Sequence, residues 1–455
     1  LWTDGATKHF YLGVCFVLIM SDDMLPVGEI DIEPHSIIQA DATELPYEDE
    51  SFHAIVTDPP YGLAFMGKTW DQFEPKEYQE FCENWGEECL RVLKPGGHML
   101  AFSGTRTYHR MVTGVEDAGF EIRDKIDYLY GSGFAKGLDV SKAIDKQLGV
   151  EDEREKAGVK PGHEEFADRD TDGHLGGEDT NEGYKRPWME EEDASDYHYQ
   201  TKPASEEAEE WHGWKTALKP AHEPIVVARK PLEEDTVAEQ VMATGTGALN
   251  IDGARIALPK DDDLQDGIEG RAGGEMDTGG SDTEWGFKRT NREPGKGRYP
   301  ANIILDIEAA QMLDEEVGDL HESTKSTRGG DLYGGYESEG IKGAGESIAF
   351  GDSGGPSRYF YTSKASKSER TANGRIDNNH PTIKPVDLMQ YLVRLVTAEG
   401  QKVCDPFLGS GTTLLACEEE NRVGYGSDMN KEYCDIATKR LGIRMGTELG
   451  SFMDY

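Results

Sequence analysis

Four consecutive residues, Asp58-Pro59-Pro60-Tyr61, place a carboxylate, two proline carbonyls and an aromatic ring directly after an apolar run, Ala54-Ile-Val-Thr. That set suits an exocyclic amine on a planar heterocycle. The lone pair of such an amine is delocalised into its ring, so attack on a methyl donor requires acceptors that hold the NH2 and favour rehybridisation. Asp58 can supply one acceptor and the Pro59 carbonyl another, because proline rings stiffen the position of the backbone. Tyr61 offers a π-face on which a base taken out of its stack can lie. The same string also suits a strand that ends in a Pro-Pro turn with a buried tyrosine.

A second chemical segment lies far along the chain: Asp405-Pro-Phe407-Leu-Gly409-Ser-Gly411-Thr412-Thr413, followed by helix-like Leu414-Leu-Ala-Cys-Glu. Glycines at such a turn let backbone approach a cofactor closely, with a helix N-terminus behind it. The loop has neither the third glycine of a dinucleotide fingerprint nor the G-K-[ST] of a P-loop, so NAD and ATP are disfavoured. Arg422-Val-Gly-Tyr-Gly-Ser-Asp428 then ends a further strand with an acid placed as a ribose-hydroxyl acceptor would be; Asp428 equally suits a helix N-cap. A third string, Gly351-Asp-Ser353-Gly-Gly-Pro356, resembles the nucleophile segment of chymotrypsin-like proteases, but such an enzyme needs a histidine base and an oriented aspartate. No Ala-Ala-His-Cys segment precedes it, so the protease reading is disfavoured.

Elements able to position these residues are legible. Ser36-Ile-Ile-Gln-Ala and Ala54-Ile-Val-Thr are short apolar runs suited to buried parallel strands. Tyr78, Phe81, Cys82, Trp85, Cys89, Leu90 and Leu93 follow helical spacing over 76–94, Pro95-Gly96-Gly97 is expected to stop that helix, and His98–Phe102 to be the next strand. Strand, helix, strand is the grammar of an open α/β sheet. Glu223–Ala228, Lys402–Asp405 and Arg422–Gly426 predict further strands, Val386–Ala398 a helix, and Ala301–Leu305 and Tyr359–Tyr361 short strand-like pieces within the glycine-rich, irregular stretch 231–375. Between 151 and 210 there are 21 acids and 7 bases, a composition too polar to offset its ordering entropy.

Together these residues resemble the amino-methyltransferases of DNA, which move a methyl group from S-adenosylmethionine (AdoMet) to adenine N6 or cytosine N4. The resemblance rests on Asp58–Tyr61, a Leu-Lys-Pro-Gly-Gly helix end at 93–97, His380-Pro-Thr-Ile-Lys384-Pro385, and the loop 405–412; Gly131-Ser-Gly-Phe134 is similar too. The catalytic string precedes the cofactor loop, the permuted order of the family's β group, which implies a target-recognition region between them. The implied fold is α/β: a Rossmann-like AdoMet-dependent methyltransferase sheet with helices on both faces, plus an irregular inserted recognition region. The implied segments are an N-terminal extension (1–30), a catalytic half (31–150), an acidic disordered insertion (151–210), a returning strand (211–230), the recognition region (231–375), an AdoMet-binding half (376–445) and a tail (446–455). The implied catalytic set is Asp58, Pro59, Pro60 and Tyr61, and the cofactor set Asp41, Asp405, Phe407, Gly409, Gly411, Thr412, Asp428 and Lys384. The loop 62–75, with Gly67, Trp70 and Asp71, is expected to close over the base. Adenine is preferred over cytosine because the motif begins with Asp; RNA or protein-glutamine methylation is a weaker alternative.

The 455 residues carry 47 Lys+Arg against 88 Asp+Glu, a formal net charge of −41, which excludes a basic nucleic-acid coat protein. Net charge governs solubility and association, not fold. At 1 M salt the Debye length falls to about 3 Å, so the acidity is read as adaptation to a salt-loaded cytoplasm, as in halophilic archaea and their viruses. Bases cluster at Lys288, Arg289, Arg292, Lys296 and Arg298, and again at Arg358, Lys364, Lys367, Arg370 and Arg375, interleaved with aromatics. They are candidate contacts to double-stranded DNA, or ordinary solvated charges. Six cysteines without C-x-x-C spacing favour neither a disulfide framework nor a metal site and suit a reducing, cytoplasmic setting. The apolar run Phe10–Met20 is too short to span a membrane, and residues 1–19 are expected to be an upstream extension. A cognate restriction endonuclease and a second copy of the chain are candidate partners.

Overall fold

In the computed structural model the apolar runs become strands of one mixed sheet. The structure describes residues 29–63, 71–131, 133, 137–159, 199–258, 296–318, 355–363, 371–372, 374–376, 378 and 383–446. Its strands are β1 (Glu29–Ile32), β2 (His35–Gln39), β3 (Phe52–Thr57), β4 (Leu93–Phe102), β5 (Glu121–Leu129), β6 (Lys156–Val159), β7 (Tyr199–Thr201), β8 (His222–Arg229), β9 (Ile303–Asp306), β10 (Tyr361–Ser363), β11 (Lys402–Asp405) and β12 (Val423–Asp428). The helices are α1 (Pro75–Val92), α2 (Tyr108–Asp117), α3 (Val140–Leu148), α4 (Glu206–Glu210), α5 (Val237–Thr244), α6 (Ile307–Val317), α7 (Val386–Val396), α8 (Thr412–Glu419) and α9 (Lys431–Met445).

Ten strands pair in the order β1-β2-β12-β11-β3-β4-β8-β5-β9-β10. Only β1 and β8 run against the rest. The carboxyl ends of β2, β12, β11, β3 and β4 therefore share one edge, where open α/β sheets place ligands. Reversed β8 begins at that same edge, with His222 paired to Leu129 and Glu223 to Tyr128.

Side chains alternate along each strand, and the sheet is apolar on both faces. Ala54, Val56, Leu100, Phe102, Ile225 and Val227 pack with Leu388, Met389, Leu392 and Val396 of α7. Their neighbours Ile55, Met99, Ala101, Val226 and Ala228 pack on the other face with Trp85 and Cys89 of α1 and Met111 and Val115 of α2. α1 starts at a capping box, Glu74 with Glu77, and has proline in its first turn. Its buried stripe is Tyr78, Cys82, Trp85, Cys89 and Val92. Gly114 of α2 allows the helices to touch: a Cβ there would lie 2.5 Å from the Gln79 carbonyl oxygen.

Two expectations change. The helix ends at Val92 and 93–97 join the strand, because Gly96, at φ +76°, bonds from its N–H to the Lys230 carbonyl at 3.1 Å. Within 231–375 the strand-like pieces at 301–305 and 359–361 overlap β9 and β10, which extend the main sheet beside β5, and two helices that the sequence did not suggest, α5 and α6, form as well. A strand of three or four residues shows too little periodicity to set its own bounds, which the hydrogen-bonded partner fixes.

Residues 132–221 form a separate compact unit. Within it β6 and β7 pair antiparallel, and fully buried Asp145 of α3 accepts from Ser205 Oγ at 2.6 Å and from the Arg154 guanidinium. Most of the acidic insertion, 160–198, lies outside the described residues, as do Ser353, Cys15 and the N-terminal run. Cys82, Cys89, Cys404, Cys417 and Cys434 are free and buried. No helix among the described residues is long and apolar enough to cross a membrane.

Candidate active site

β3 delivers Asp58 to the ligand-bearing edge of the sheet, and Tyr61 folds back on it. Tyr61 Oη donates to Asp58 Oδ1 at 2.7 Å. Burial first, then the Asp58 carboxylate, raises Tyr61 far above the ordinary phenol range, so it stays a donor. The turn is pinned from two sides: Tyr78 Oη donates to the Pro60 carbonyl at 2.9 Å and Thr107 Oγ1 to the Tyr61 carbonyl at 2.6 Å. The Pro59 carbonyl accepts no hydrogen bond from the described residues. Asp71, buried to 1% exposure, holds the next stretch by accepting from the Gly62 N–H at 2.6 Å and the Leu63 N–H at 3.1 Å. A cavity of about 620 Å³ opens here, lined by Gly62, Leu63, Phe73, Arg106 and Thr107 among others. Gly67 and Trp70 lie outside the described residues.

Lys384, expected with the cofactor set, reaches Asp58, expected as catalytic. Its Nζ donates to Asp58 Oδ2 at 2.7 Å and to Tyr61 Oη at 3.0 Å, and pairs with Glu223 Oε2 at 3.2 Å. It also sits 4.8 Å over the Phe102 ring. Burial alone would depress this ammonium, but Asp58 and Glu223 outweigh it and hold Lys384 above its usual range. Glu223 was not anticipated as a site residue. Its only signal in the sequence is an acid at the start of a strand, and strand direction, which decides its place, is not written there.

The cofactor-loop residues meet at neighbouring strand ends. Asp405, 3% exposed at the end of β11, accepts from Thr57 Oγ1 at 2.6 Å, Thr413 Oγ1 at 2.5 Å and the Phe407 N–H at 3.1 Å. These bonds tie the loop to β3 and to the first turn of α8. Burial nonetheless pushes its carboxyl up to about 6. Gly411, at φ +83°, turns the chain into α8, and Gly409 bonds from its N–H to Asp428 Oδ2 at 2.9 Å. Asp428 also accepts from the Asn430 N–H at 2.8 Å, and Asn430, not Asp428, caps α9. Asp41 follows β2, which pairs with β12; its Oδ1 accepts from Thr43 N–H and Oγ1, leaving Oδ2 without a partner among the described residues. Phe407 is half-buried, edge-on to Trp85 at 5.7 Å. Thr412 is buried, its Oγ1 3.2 Å from Arg440 Nη1.

Of the candidate DNA contacts, Lys288, Arg289, Arg292, Lys364, Lys367 and Arg370 lie outside the described residues. Arg298 is only 6% exposed and packs over the Tyr359 ring at 5.2 Å, so it is placed as a structural cation and not as an open surface contact. Arg358 stacks on the same ring at 4.6 Å and donates to the Gly355 carbonyl at 2.7 Å.

A mixed sheet with acid-tipped parallel strands, a glycine turn into a buried helix and an Asp-Pro-Pro-Tyr corner on the same edge is an open α/β arrangement of the kind that binds ligands at its carboxyl ends. The family model described as DNA methylase, for the N6 and N4 enzymes, matches residues 52–439, and the chain belongs to that family. It is similar to the type II methyltransferase M.HindIII of Haemophilus influenzae, 22% identical over 433 residues, spanning 87% of this chain and 91% of the relative. It is also similar to M.HpaI of Haemophilus parainfluenzae, 47% identical over 62 residues, 14% of this chain and 20% of the relative. Among solved structures it resembles the cytosine-N4-specific PvuII DNA methyltransferase (TM-score 0.41, 13% identity, 89% of this chain and 86% of that one). It also resembles M1.HpyAVI in complex with AdoMet (TM-score 0.35, 16% identity, 89% and 98%). The protein is thus a site-specific DNA methyltransferase, and AdoMet is its cofactor.

The acceptor set fits AdoMet. A carboxylate has about four lone-pair sites, so Asp428, with two used, retains acceptors for ribose hydroxyls, and Asp41 Oδ2 retains its own. Acidic strand ends also suit a cofactor that carries a sulfonium cation.

Proposed function

We propose that this enzyme methylates adenine N6 in double-stranded DNA, with the target base turned out of the helix toward Asp58–Tyr61. The observation that carries the reading is the pair of acceptors at the motif: an oriented Asp58 carboxylate beside a Pro59 carbonyl that no described residue occupies. Asp58 and the Pro59 carbonyl accept the two amine hydrogens, which directs the nitrogen lone pair out of the ring plane. AdoMet supplies the electrophilic methyl group. Tyr61 holds Asp58 and presents its ring to the base, and the pinned carbonyls of Pro60 and Tyr61 keep this corner rigid. Positioning and hydrogen-bond acceptance are what the chain contributes, and no covalent enzyme intermediate is needed.

The aspartate that opens the motif supports adenine over cytosine. The −41 charge supports work in a salt-loaded cytoplasm, and the type II name of M.HindIII supports a place beside a cognate endonuclease. Labelled AdoMet with duplex DNA in molar KCl, followed by nucleoside mass spectrometry, tests the base: N6-methyladenine is expected, and N4-methylcytosine overturns the assignment. Asp58→Ala is expected to abolish transfer while AdoMet still binds by calorimetry. Near-wild-type turnover in that variant ends the proposal.

A further inference from the structure

We infer that Glu223 is a positioning residue for methyl transfer: by pairing with Lys384 it offsets the ammonium and leaves the catalytic corner with one net negative charge. Among the described residues three ionised groups are in direct contact there, with buried Asp405, whose charge is coupled to Asp58, standing outside that contact group. Lys384 Nζ lies 2.7 Å from Asp58 Oδ2 and 3.2 Å from Glu223 Oε2, with side-chain exposures of 11%, 23% and 26% for Lys384, Asp58 and Glu223. The two carboxylates and one ammonium sum to a single negative charge. Without Glu223 the ammonium would cancel Asp58, and this contact group would carry no net charge of its own toward the target amine.

That difference matters because charge moves during the reaction. The nitrogen lone pair forms the new C–N bond, the C–S bonding pair returns to sulfur, and the nitrogen then loses a proton to solvent. Positive charge therefore migrates from sulfur onto the amine beside Asp58, and a fixed negative charge there stabilises the transition state more than the bound reactants, whose charge is still on the more distant sulfur. Lys384 has its own task. It fixes the plane of Asp58 jointly with Tyr61, but a lysine alone would neutralise what it orients. Reversed β8 resolves the conflict, since its first residues lie at the edge to which β3 delivers Asp58.

The inference rests on the amine-methylation reading but not on which base is modified. Single-turnover transfer at saturating DNA and AdoMet is the measurement, with both affinities determined separately. Glu223→Gln is expected to slow transfer on the order of 10- to 100-fold with both affinities within about twofold of wild type. Adding Lys384→Met to Glu223→Gln restores one net negative charge, and the double variant is expected to run at least about tenfold faster than Glu223→Gln alone. Structural damage alone would make the two losses compound. A Glu223→Gln enzyme at the wild-type rate, or a double variant no faster than the single one, overturns the inference. Should Glu223→Gln fail to bind AdoMet, Glu223→Asp decides: a rate near wild type supports the charge role, and a loss of 10-fold or more with AdoMet still bound overturns it. A wild-type protein that transfers no methyl to DNA overturns the proposed function as well, so the two failures are distinguishable.

Discussion

Asp405→Asn isolates the cost of the buried charge that anchors the cofactor loop. Burial pushes the Asp405 carboxyl up to about 6, against 3.8 for an ordinary aspartate. A displacement of about two pH units corresponds to about 3 kcal/mol at 1.4 kcal/mol per unit. Because the folded value lies above the unfolded one, the folded state takes up the proton first as pH falls. This group's contribution to stability therefore grows as pH drops from about 6 toward 3.8 and is absent above about 7. The variant can keep the geometry: Oδ1 already accepts from Thr57 Oγ1 and the Phe407 N–H. An amide nitrogen in the place of Oδ2 can donate to Thr413 Oγ1, whose hydroxyl is 3.5 Å from the Val56 carbonyl. Urea unfolding of wild type and Asp405→Asn, at fixed salt from pH 8 to pH 4.5, reads the difference directly, and other carboxylates cancel. The stability of the variant relative to wild type is expected to be about 2 kcal/mol more favourable at pH 8 than at pH 4.5. A difference that does not vary with pH, or that favours the variant more at pH 4.5, refutes the reasoning.

Gly411→Ala places a side chain at φ +83° with its Cβ 2.7 Å from that of Ala437; a loss of about 1–3 kcal/mol in unfolding free energy and weaker AdoMet binding by calorimetry are expected. Tyr78→Phe removes the donor to the Pro60 carbonyl and should cost about 1 kcal/mol in stability, with a several-fold drop in single-turnover rate; an unchanged rate would separate the rigidity of this corner from catalysis. Trp85→Ala empties a fully buried site against Phe407, for which about 3–5 kcal/mol is expected by urea denaturation.

Much of the fold was legible because a sheet buried on both faces writes its strands as continuous apolar runs. Ile55-Val56, Met99–Phe102 and Ile225–Ala228 follow that rule, and so does the apolar stripe of α7. β9 and β10 were noticed only as fragments inside a glycine-rich region, because strands of four and three residues carry no period of their own. Local chemistry set the rest: glycines at 409 and 411 meet a turn that requires positive φ, and the Asp-Pro-Pro-Tyr corner is built from four neighbours.

What the sequence determined by itself was therefore the class of chemistry, the order of its two motifs and most strands of the sheet, all of which depend on residues close together in the chain. Only the tertiary structure decided which distant side chains meet at the Asp58–Tyr61 corner. Lys384 lies 326 residues from Asp58, and its motif suggested a cofactor contact; Glu223 belongs to the site only because β8 runs antiparallel and starts at the ligand edge. Strand direction and neighbour order are set by long-range pairing and by the burial of both faces at once, so the electrostatics of the site follow from topology and not from any local run of residues.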